Sequence, residues 1–144
     1  MQSYVKHAAW TVAVAIVGTI LVGSSTLVLA AQKTTKEGVF SAAQAKRGEA
    51  LYKEQCASCH SADLSGGGAP QLAGADFLGF WDKTPVSDLV TKIKDSMPAS
   101  SPGSLNKAQA VDITVFILSS NKFPAGSADL SQDDAALKAI NIAK

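Results

Sequence analysis

The stretch Cys56-Ala57-Ser58-Cys59-His60 decides how this chain of 144 residues is interpreted. Two thiols three residues apart on a helical turn can each add to one vinyl group of a haem, and the following histidine then lies beneath the iron. The pattern therefore predicts one covalently attached haem c, with its iron, bound at Cys56 and Cys59. His60 is the predicted proximal ligand of the iron.

Other uses of the two cysteines fit the sequence less well. A thioredoxin-like redox pair usually follows a strand in a βαβ unit, whereas a helical pattern precedes this motif. A structural zinc site needs four ligands, but the chain has 2 Cys and 2 His in all, and His7 lies in the N-terminal segment. A plain disulfide between Cys56 and Cys59 stays open, although it would not need His60 beside it.

Elimination predicts Met97 as the second axial ligand of the iron. The chain contains 2 Met, of which the other is Met1, and its only histidine besides His60 is His7. Met97 follows a predicted helix, at a point where the chain changes direction before Pro98. The alternatives are that Met97 only fills a gap in the core, that the iron is open, or that a lysine binds it.

Hydrophobic spacing predicts three main helices and no strand pair. In the second segment apolar residues recur at i, i+3, i+4 and i+7, the pattern of an amphipathic helix, and the first and third segments each place small or apolar residues on one face. Between the first two helices lies a loop-rich stretch, residues 61–82, which includes three consecutive glycines. The predicted main helices, and a weaker fourth, span residues 42–55, 85–95, 105–120 and 132–139.

Polar residues beside these helices suggest how each one begins. Ser41 can cap the first helix, with Gln44 three residues later to complete a capping box. Thr84 can cap the second helix, with Pro85 at its first position, where a missing N–H does no harm. Ser104 can cap the third.

The N-terminal segment predicts export across a membrane. Residues 1–31 contain one charged side chain, Lys6, and an apolar run that ends near Ala30 and Ala31. We interpret it as a signal peptide cleaved after one of these alanines, or as an uncleaved inner-membrane anchor, since about 20 apolar residues span a bilayer. Residues 32–40 are then a flexible lead, and residues 41–144 form one periplasmic domain.

Charge excludes one class of function. After residue 31 the chain holds 12 Lys and Arg against 12 Asp and Glu. Nucleic-acid binding usually requires a concentrated basic face, so we expect no nucleic-acid partner. Membrane association is expected only if the N-terminal segment stays uncleaved.

Over residues 41–124 the chain resembles the small class I cytochromes c. The resemblance rests on a helix with Gly48 and Tyr52, the motif at residues 56–60, Met97, and a C-terminal helix. It implies an all-α fold in which three main helices and long loops wrap around one covalently bound haem. In that family the first and last helices cross where a small residue meets an aromatic one, and Gly48 and Phe116 match that pair.

The same resemblance implies three further haem-site residues. A proline in the loop after the motif commonly places its carbonyl against the proximal imidazole, and Pro70 is the candidate. Such a bond sets ring orientation and ligand basicity. Leu72 would pack against the haem, and Trp81 would donate its N–H to a propionate or simply be buried.

Filled axial positions imply an electron carrier rather than an enzyme. We expect one-electron shuttling between periplasmic or membrane redox proteins. The alternatives are an open-site haem enzyme or gas sensor, peroxidase-like, and a fixed cytochrome subunit of a larger dehydrogenase or oxidase complex. A looser resemblance around Met97-Pro98, residues 102–105 and residues 121–126 is to cytochromes that accompany periplasmic quinoprotein dehydrogenases. It makes such a dehydrogenase, or a terminal oxidase, a candidate partner.

Overall fold

The structure, a computed structural model, describes residues 32–144, and these residues form six α-helices and two short strands. A single 3₁₀ turn spans Thr35–Glu37. The strands are β1, Lys33–Thr34, and β2, Ile140–Asn141. The helices are α1 Ala42–Gln55, α2 Ala57–His60, α3 Ala75–Trp81, α4 Val86–Ser96, α5 Lys107–Ser120 and α6 Asp134–Lys138. The predicted all-α class is confirmed.

The main packing contact of the fold is the crossing of α1 and α5. Gly48 lies at the crossing point, where an added Cβ would be 1.8 Å from the backbone oxygen of Asp112 and 3.0 Å from Cβ of Phe116. Only glycine permits helices to approach this closely. The predicted meeting of Gly48 with Phe116 is confirmed.

An apolar core lies around this helix pair. Tyr52 is fully buried, and its ring centroid lies 5.0 Å from that of Phe116. α4 contributes its whole apolar stripe to the core and packs against α5. The fully buried side chains from the other elements include Phe40, Val111, Val115, Leu118, Leu137 and Ile142.

The start of α1 corrects one prediction. Ser41 caps the helix, as expected, because its hydroxyl accepts a bond from the Gln44 N–H at 3.0 Å. The Gln44 side chain does not complete a capping box. It turns instead to the backbone of Leu130, donating to the carbonyl at 3.2 Å and accepting from the N–H at 2.6 Å.

The starts of α4 and α5 were also predicted wrongly. Pro85, not Thr84, is the N-cap of α4, and it makes no side-chain capping bond. Asn106, not Ser104, caps α5 in a complete capping box with Gln109. Leu105 is buried just outside the helix, so its apolar character reflects core packing rather than helix position.

The predicted flexible lead, residues 32–40, is wrong over most of its length. β1 pairs in parallel with β2, with Lys33 opposite Ile140, and this pair also contradicts the expectation of no paired strands. Thr35 and Phe40 are fully buried. The Thr35 hydroxyl accepts a bond from the Ala143 N–H at 3.1 Å, so the segment is part of the domain.

The loop-rich stretch at residues 61–82 contains the unpredicted helix α3, which packs Phe77 into the core. The weaker helix predicted at residues 132–139 is present but shorter, as α6. Among the described helices, none combines the length and apolar character needed to cross a membrane. The predicted export segment, residues 1–31, lies outside the described residues.

Candidate functional site

The predicted haem-attachment motif forms a single helical turn directly after α1. Cys56 ends α1, because its N–H donates to the Tyr52 carbonyl at 2.9 Å. The Cys56 carbonyl then accepts from Cys59 at 3.1 Å and from His60 at 3.0 Å, which closes the turn of α2. Both cysteines and His60 therefore lie within a single helical turn.

The two thiols have different environments. Both are free in the structure, Cys56 buried and Cys59 exposed. Burial, with a smaller contribution from Cys59, raises the pKa of the Cys56 thiol to about 11. The motif directly follows helix α1 and not a strand, so it lacks the βαβ setting that is usual for a thioredoxin-like redox pair.

His60 is held in one tautomer by the contact that the resemblance implied. Its Nδ1 lies 2.7 Å from the carbonyl oxygen of Pro70. Because a carbonyl can only accept, Nδ1 carries the proton and donates. In the neutral imidazole this bond leaves the lone pair on Nε2, which is the nitrogen that can bind a metal ion.

The loop that carries Pro70, residues 61–74 (the post-motif loop), is organised by its own backbone. Gly66 donates from its N–H to the His60 carbonyl at 3.1 Å, and Leu72 donates to the Leu64 carbonyl at 2.8 Å. The Ser61 hydroxyl donates to the Gly66 carbonyl. These bonds return the chain toward His60 and explain how a long irregular segment keeps a defined path.

Tyr52 anchors the beginning of the post-motif loop. Its hydroxyl donates to the Ser61 carbonyl at 2.7 Å, directly after the motif. Burial, then the neighbouring Cys56 and Asp63, raise the pKa of Tyr52 to about 12. The hydroxyl therefore stays protonated, and able to donate, throughout the neutral range.

Asn121 anchors the end of the post-motif loop. It is buried at the C-terminus of α5, and its side-chain amide bonds to the backbone of both Leu72 and Gly74. The sequence places Asn121 directly after the helix predicted at residues 105–120. No periodic or motif signal marks this contact, because the partners lie 47 and 49 positions away.

Met97 lies directly after helix α4, at the C-cap position, in agreement with the prediction that it follows the second helix. It ends α4 in extended backbone geometry, with its N–H donating to the Ile93 carbonyl at 3.0 Å, and it is half-buried. The next residue, Pro98, follows through a cis peptide bond. Ligation of iron by Met97 stays a prediction.

Leu72 and Trp81 both pack at the edge of the core. Leu72 is half-buried, and both of its backbone polar groups are bonded. Trp81 ends α3 among aromatic rings, with centroids 6.3 Å from Phe77 and 5.3 Å from Phe80. The Phe80 side chain is 77% exposed. The roles of Leu72 and Trp81 toward a haem stay predictions.

Two surface hollows lie away from these residues. One, of about 340 Å³, is lined by residues that include Val39 and Leu130. The other, of about 500 Å³, lies beside Arg47 and Asp112. Neither is lined by the cysteine motif, by Pro70 or by Met97, so they form no part of the candidate site.

The donor set fits a covalently attached haem. Two neighbouring thiols are available for thioether bonds, and His60 presents an unprotonated Nε2 on the same turn. Within residues 32–144 no group of three or more His, Cys, Asp and Glu side chains is arranged to hold a free metal ion.

Comparison with known proteins identifies the class of the chain. It matches the family described as cytochrome C oxidase, cbb3-type, subunit III, over residues 43–117, just over half of its 144 residues. Together with the helical fold and the Cys-x-x-Cys-His turn, this match defines a class I c-type cytochrome. The chain belongs to the cbb3-type subunit III family of cytochrome c domains, and membership implies a covalent haem c with its iron.

A solved structure gives a second comparison. The chain is similar to the sulfane dehydrogenase SoxCD from Paracoccus pantotrophus, with 26% sequence identity and a TM-score of 0.46. The match covers 68% of this chain and 54% of the SoxCD chain, so this chain spans about half the length of that relative. A search of curated proteins found no match.

Proposed function

We propose that the chain is a one-electron carrier with a single haem c, attached at Cys56 and Cys59 and ligated axially by His60 and Met97. The observation that carries the proposal is the 2.7 Å contact between His60 Nδ1 and the Pro70 carbonyl, which leaves Nε2 as the nitrogen available to bind iron. When bound, the haem supplies an iron that alternates between the ferric and ferrous states.

The residues of the chain would set how readily the iron changes state. The Pro70 carbonyl would increase the basicity of the imidazole by accepting a hydrogen bond from its Nδ1–H. A thioether from Met97 favours the ferrous iron, and burial disfavours the extra ferric charge, so both raise the potential. His60 and Met97 would together hold the iron and leave no position for a substrate, so we propose that the chain is a carrier and not an enzyme.

Export to the periplasm and transient docking belong to the same proposal. Residues 1–31 have the composition of a signal peptide or an inner-membrane anchor. One electron would enter from a donor protein and leave to an acceptor protein. Docking between such partners usually buries a small area. A quinoprotein dehydrogenase and a terminal oxidase are the candidate partners.

The family description supports a second candidate, a cytochrome fixed in a larger oxidase complex. In that case the haem carries electrons but the domain does not diffuse. The two candidates differ in fractionation. A carrier is released from spheroplasts with the periplasmic proteins, whereas a fixed subunit stays with the membrane after a high-salt wash. N-terminal sequencing that finds Ala31 or Gln32 first rules out an anchor.

Absorption spectroscopy of the purified ferric protein tests the axial ligands. We expect a low-spin spectrum with the weak near-red band of a thioether bound to ferric iron. Met97→Leu, which keeps the volume of the side chain but removes the sulfur, should abolish the band as completely as Met97→Ala. A high-spin ferric spectrum, or rapid carbon monoxide binding by the reduced wild type, would contradict the carrier and favour an open-site haem protein.

A further inference from the structure

Asn121 makes three side-chain hydrogen bonds from a buried position. Its Nδ2 donates to the carbonyl of Ile117 at 2.8 Å and to that of Leu72 at 2.9 Å, while its Oδ1 accepts from the Gly74 N–H at 3.0 Å. The bond to Ile117 lies within α5 and orients the amide. The other two hold the post-motif loop at two backbone points.

The two backbone points, Leu72 and Gly74, lie two and four residues after Pro70, whose carbonyl contacts the His60 imidazole. Leu72 is two positions beyond Pro70, and its N–H is held by the Leu64 carbonyl at 2.8 Å. Both polar groups of Leu72 are therefore fixed, one to the loop itself and one to α5 through Asn121. With its C-terminal side fixed, the Pro70 carbonyl has little freedom to move away from His60 Nδ1.

We propose that Asn121 is a positioning residue that holds the Pro70 carbonyl against His60 and thereby tunes the potential of the iron. The inference rests on the proposed function, because it requires His60 to bind iron. A hydrogen bond weakens steeply when its angle and distance are disturbed. Loosening the loop therefore makes the imidazole a less basic ligand, and the ferric state becomes less favoured relative to the ferrous state.

A purely structural role for Asn121 makes a different prediction. As a helix cap and buried amide alone, its loss would lower stability and leave the potential unchanged. Gln44 provides the matched control, because it is also a buried amide that bonds distant backbone, at both the N–H and the carbonyl of Leu130. It braces residues 122–133 (the C-terminal loop), which contain none of the predicted site residues.

The experiment compares three holoprotein variants with the wild type: Asn121→Ala, Asn121→Ser and Gln44→Ala. A serine hydroxyl at position 121 can still bond the carbonyl four residues earlier in the helix. It is too short to reach Leu72 and Gly74. Asn121→Ser therefore keeps a bond to the Ile117 carbonyl within α5 and removes the bonds to Leu72 and Gly74. It can also replace Asn121→Ala in the experiment if that variant folds poorly.

The first measurement is the ratio of reduced to oxidised protein at a fixed ambient potential. We expect both Asn121 variants to raise this ratio roughly three- to tenfold, where tenfold corresponds to 59 mV for a one-electron couple. The second is solvent exchange of the His60 Nδ1 proton in the reduced protein, which should be faster in both variants since the loop opens more often. Gln44→Ala should leave both quantities within about twofold of the wild type, because its loop is not coupled to His60.

Two results would overturn the positioning role. One is an unchanged ratio and exchange rate in both Asn121 variants despite lower stability. The other is an equal shift in Gln44→Ala. Failure of the proposed function has its own signature, the absence of the thioether band in the wild type. The exchange rate of the Nδ1 proton still decides the role of Asn121 in that case.

Discussion

The post-motif loop and the C-terminal loop are two irregular segments held by the same device. Each is braced from a long helix by one buried side-chain amide, Asn121 on one side and Gln44 on the other. The difference lies in what the braced segment touches. Residues 61–74 carry the carbonyl that meets His60, whereas residues 122–133 carry no predicted ligand. Bracing of a loop therefore identifies a functional segment only when the loop also touches a reactive group.

The two loops also differ in their use of charge. The C-terminal loop adds an ion pair, because Arg47 bonds Asp129 at 2.7 Å and the Ser41 hydroxyl donates to the same carboxylate. The tyrosine and asparagine bonds that anchor the post-motif loop are between neutral groups. Salt should therefore weaken the anchoring of the C-terminal loop, which includes an ion pair, more than that of the post-motif loop.

The largest effect should come from Gly48→Ala, which disturbs the helix crossing from which both loops are held. Both braces depend on the crossing of α1 and α5, since Gln44 lies on α1 and Asn121 ends α5. The new Cβ would lie 1.8 Å from a backbone oxygen that cannot rotate away. We expect the free energy of unfolding to fall by about 3 kcal/mol, the upper part of the range for overpacking.

Urea unfolding of the holoprotein measures this loss, with Ala50→Gly, at an exposed position in the interior of the same helix, as the control. That change should cost about 1 kcal/mol through helix propensity alone. A Gly48→Ala protein as stable as the wild type would contradict the close approach of the two helices.

A smaller effect should follow from Tyr52→Phe, which loosens only the post-motif loop. It removes the hydroxyl that donates to Ser61 and should cost about 1 kcal/mol, the usual net value of one hydrogen bond. The pKa of Tyr52 is raised in the fold to about 12, chiefly by burial. An unfolded tyrosine ionises near pH 10, so the associated stability is complete below about pH 10 and is lost as the pH rises toward 12.

Denaturant titrations between about pH 10 and 12 test whether the free energy of unfolding falls with rising pH, as the raised pKa of Tyr52 predicts. The wild type should lose stability more steeply than Tyr52→Phe between about pH 10 and 12, so the gap between them narrows. A gap that widens with rising pH would show that the hydroxyl is not the buried, neutral donor described.

The smallest effect should come from Asp129→Asn, which acts only on the C-terminal loop. Bonds from the Ser41 hydroxyl, then from Arg47, hold the pKa of Asp129 below its ordinary value of 3.8. Its ionised form therefore stabilises the fold above that value, and this stabilisation is lost as the pH falls below it. Exposed ion pairs contribute little, so at pH 7 we expect only a slightly lower unfolding midpoint.

The difference in unfolding midpoint between Asp129→Asn and the wild type should disappear under two conditions. One is roughly 1 M salt, which screens exposed charges, and the other is a pH low enough to protonate the Asp129 carboxylate. Reduction potentials should be equal in the two proteins. A shift in potential with Asp129→Asn would mean that the C-terminal loop is coupled to His60 after all, and the contrast between the loops would fail.

Local patterns were sufficient to predict part of this molecule. The bounds of α1 follow from a capping serine, an apolar stripe and the cysteine motif, and all three act within a few residues. The contact between Gly48 and Phe116 was accessible only through the resemblance to class I cytochromes, because 68 positions separate the two residues.

Long-range polar contacts account for most of what the sequence left undetermined. Gln44 satisfies the spacing of a capping box, yet its amide bonds Leu130, 86 positions away. A buried backbone segment that needed both a donor and an acceptor outweighed the local capping bond. The same reasoning applies to Asn121, and neither contact has a periodic signature. Helix α3 begins after Gly74, which has no side chain to cap it. The spacing of its aromatic residues was therefore the only sequence pattern that could have predicted this helix.

The pairing of β1 with β2 has a mechanical consequence. The strands are parallel, so the chain enters the pair at one end of β1 and leaves it at the opposite end of β2. Tension applied between residues 32 and 144 would therefore load the hydrogen bonds of the pair in shear, all at once, rather than opening them one after another. If the domain is tethered through its N-terminal segment, a pull on that tether would meet the most resistant geometry that two short strands can offer.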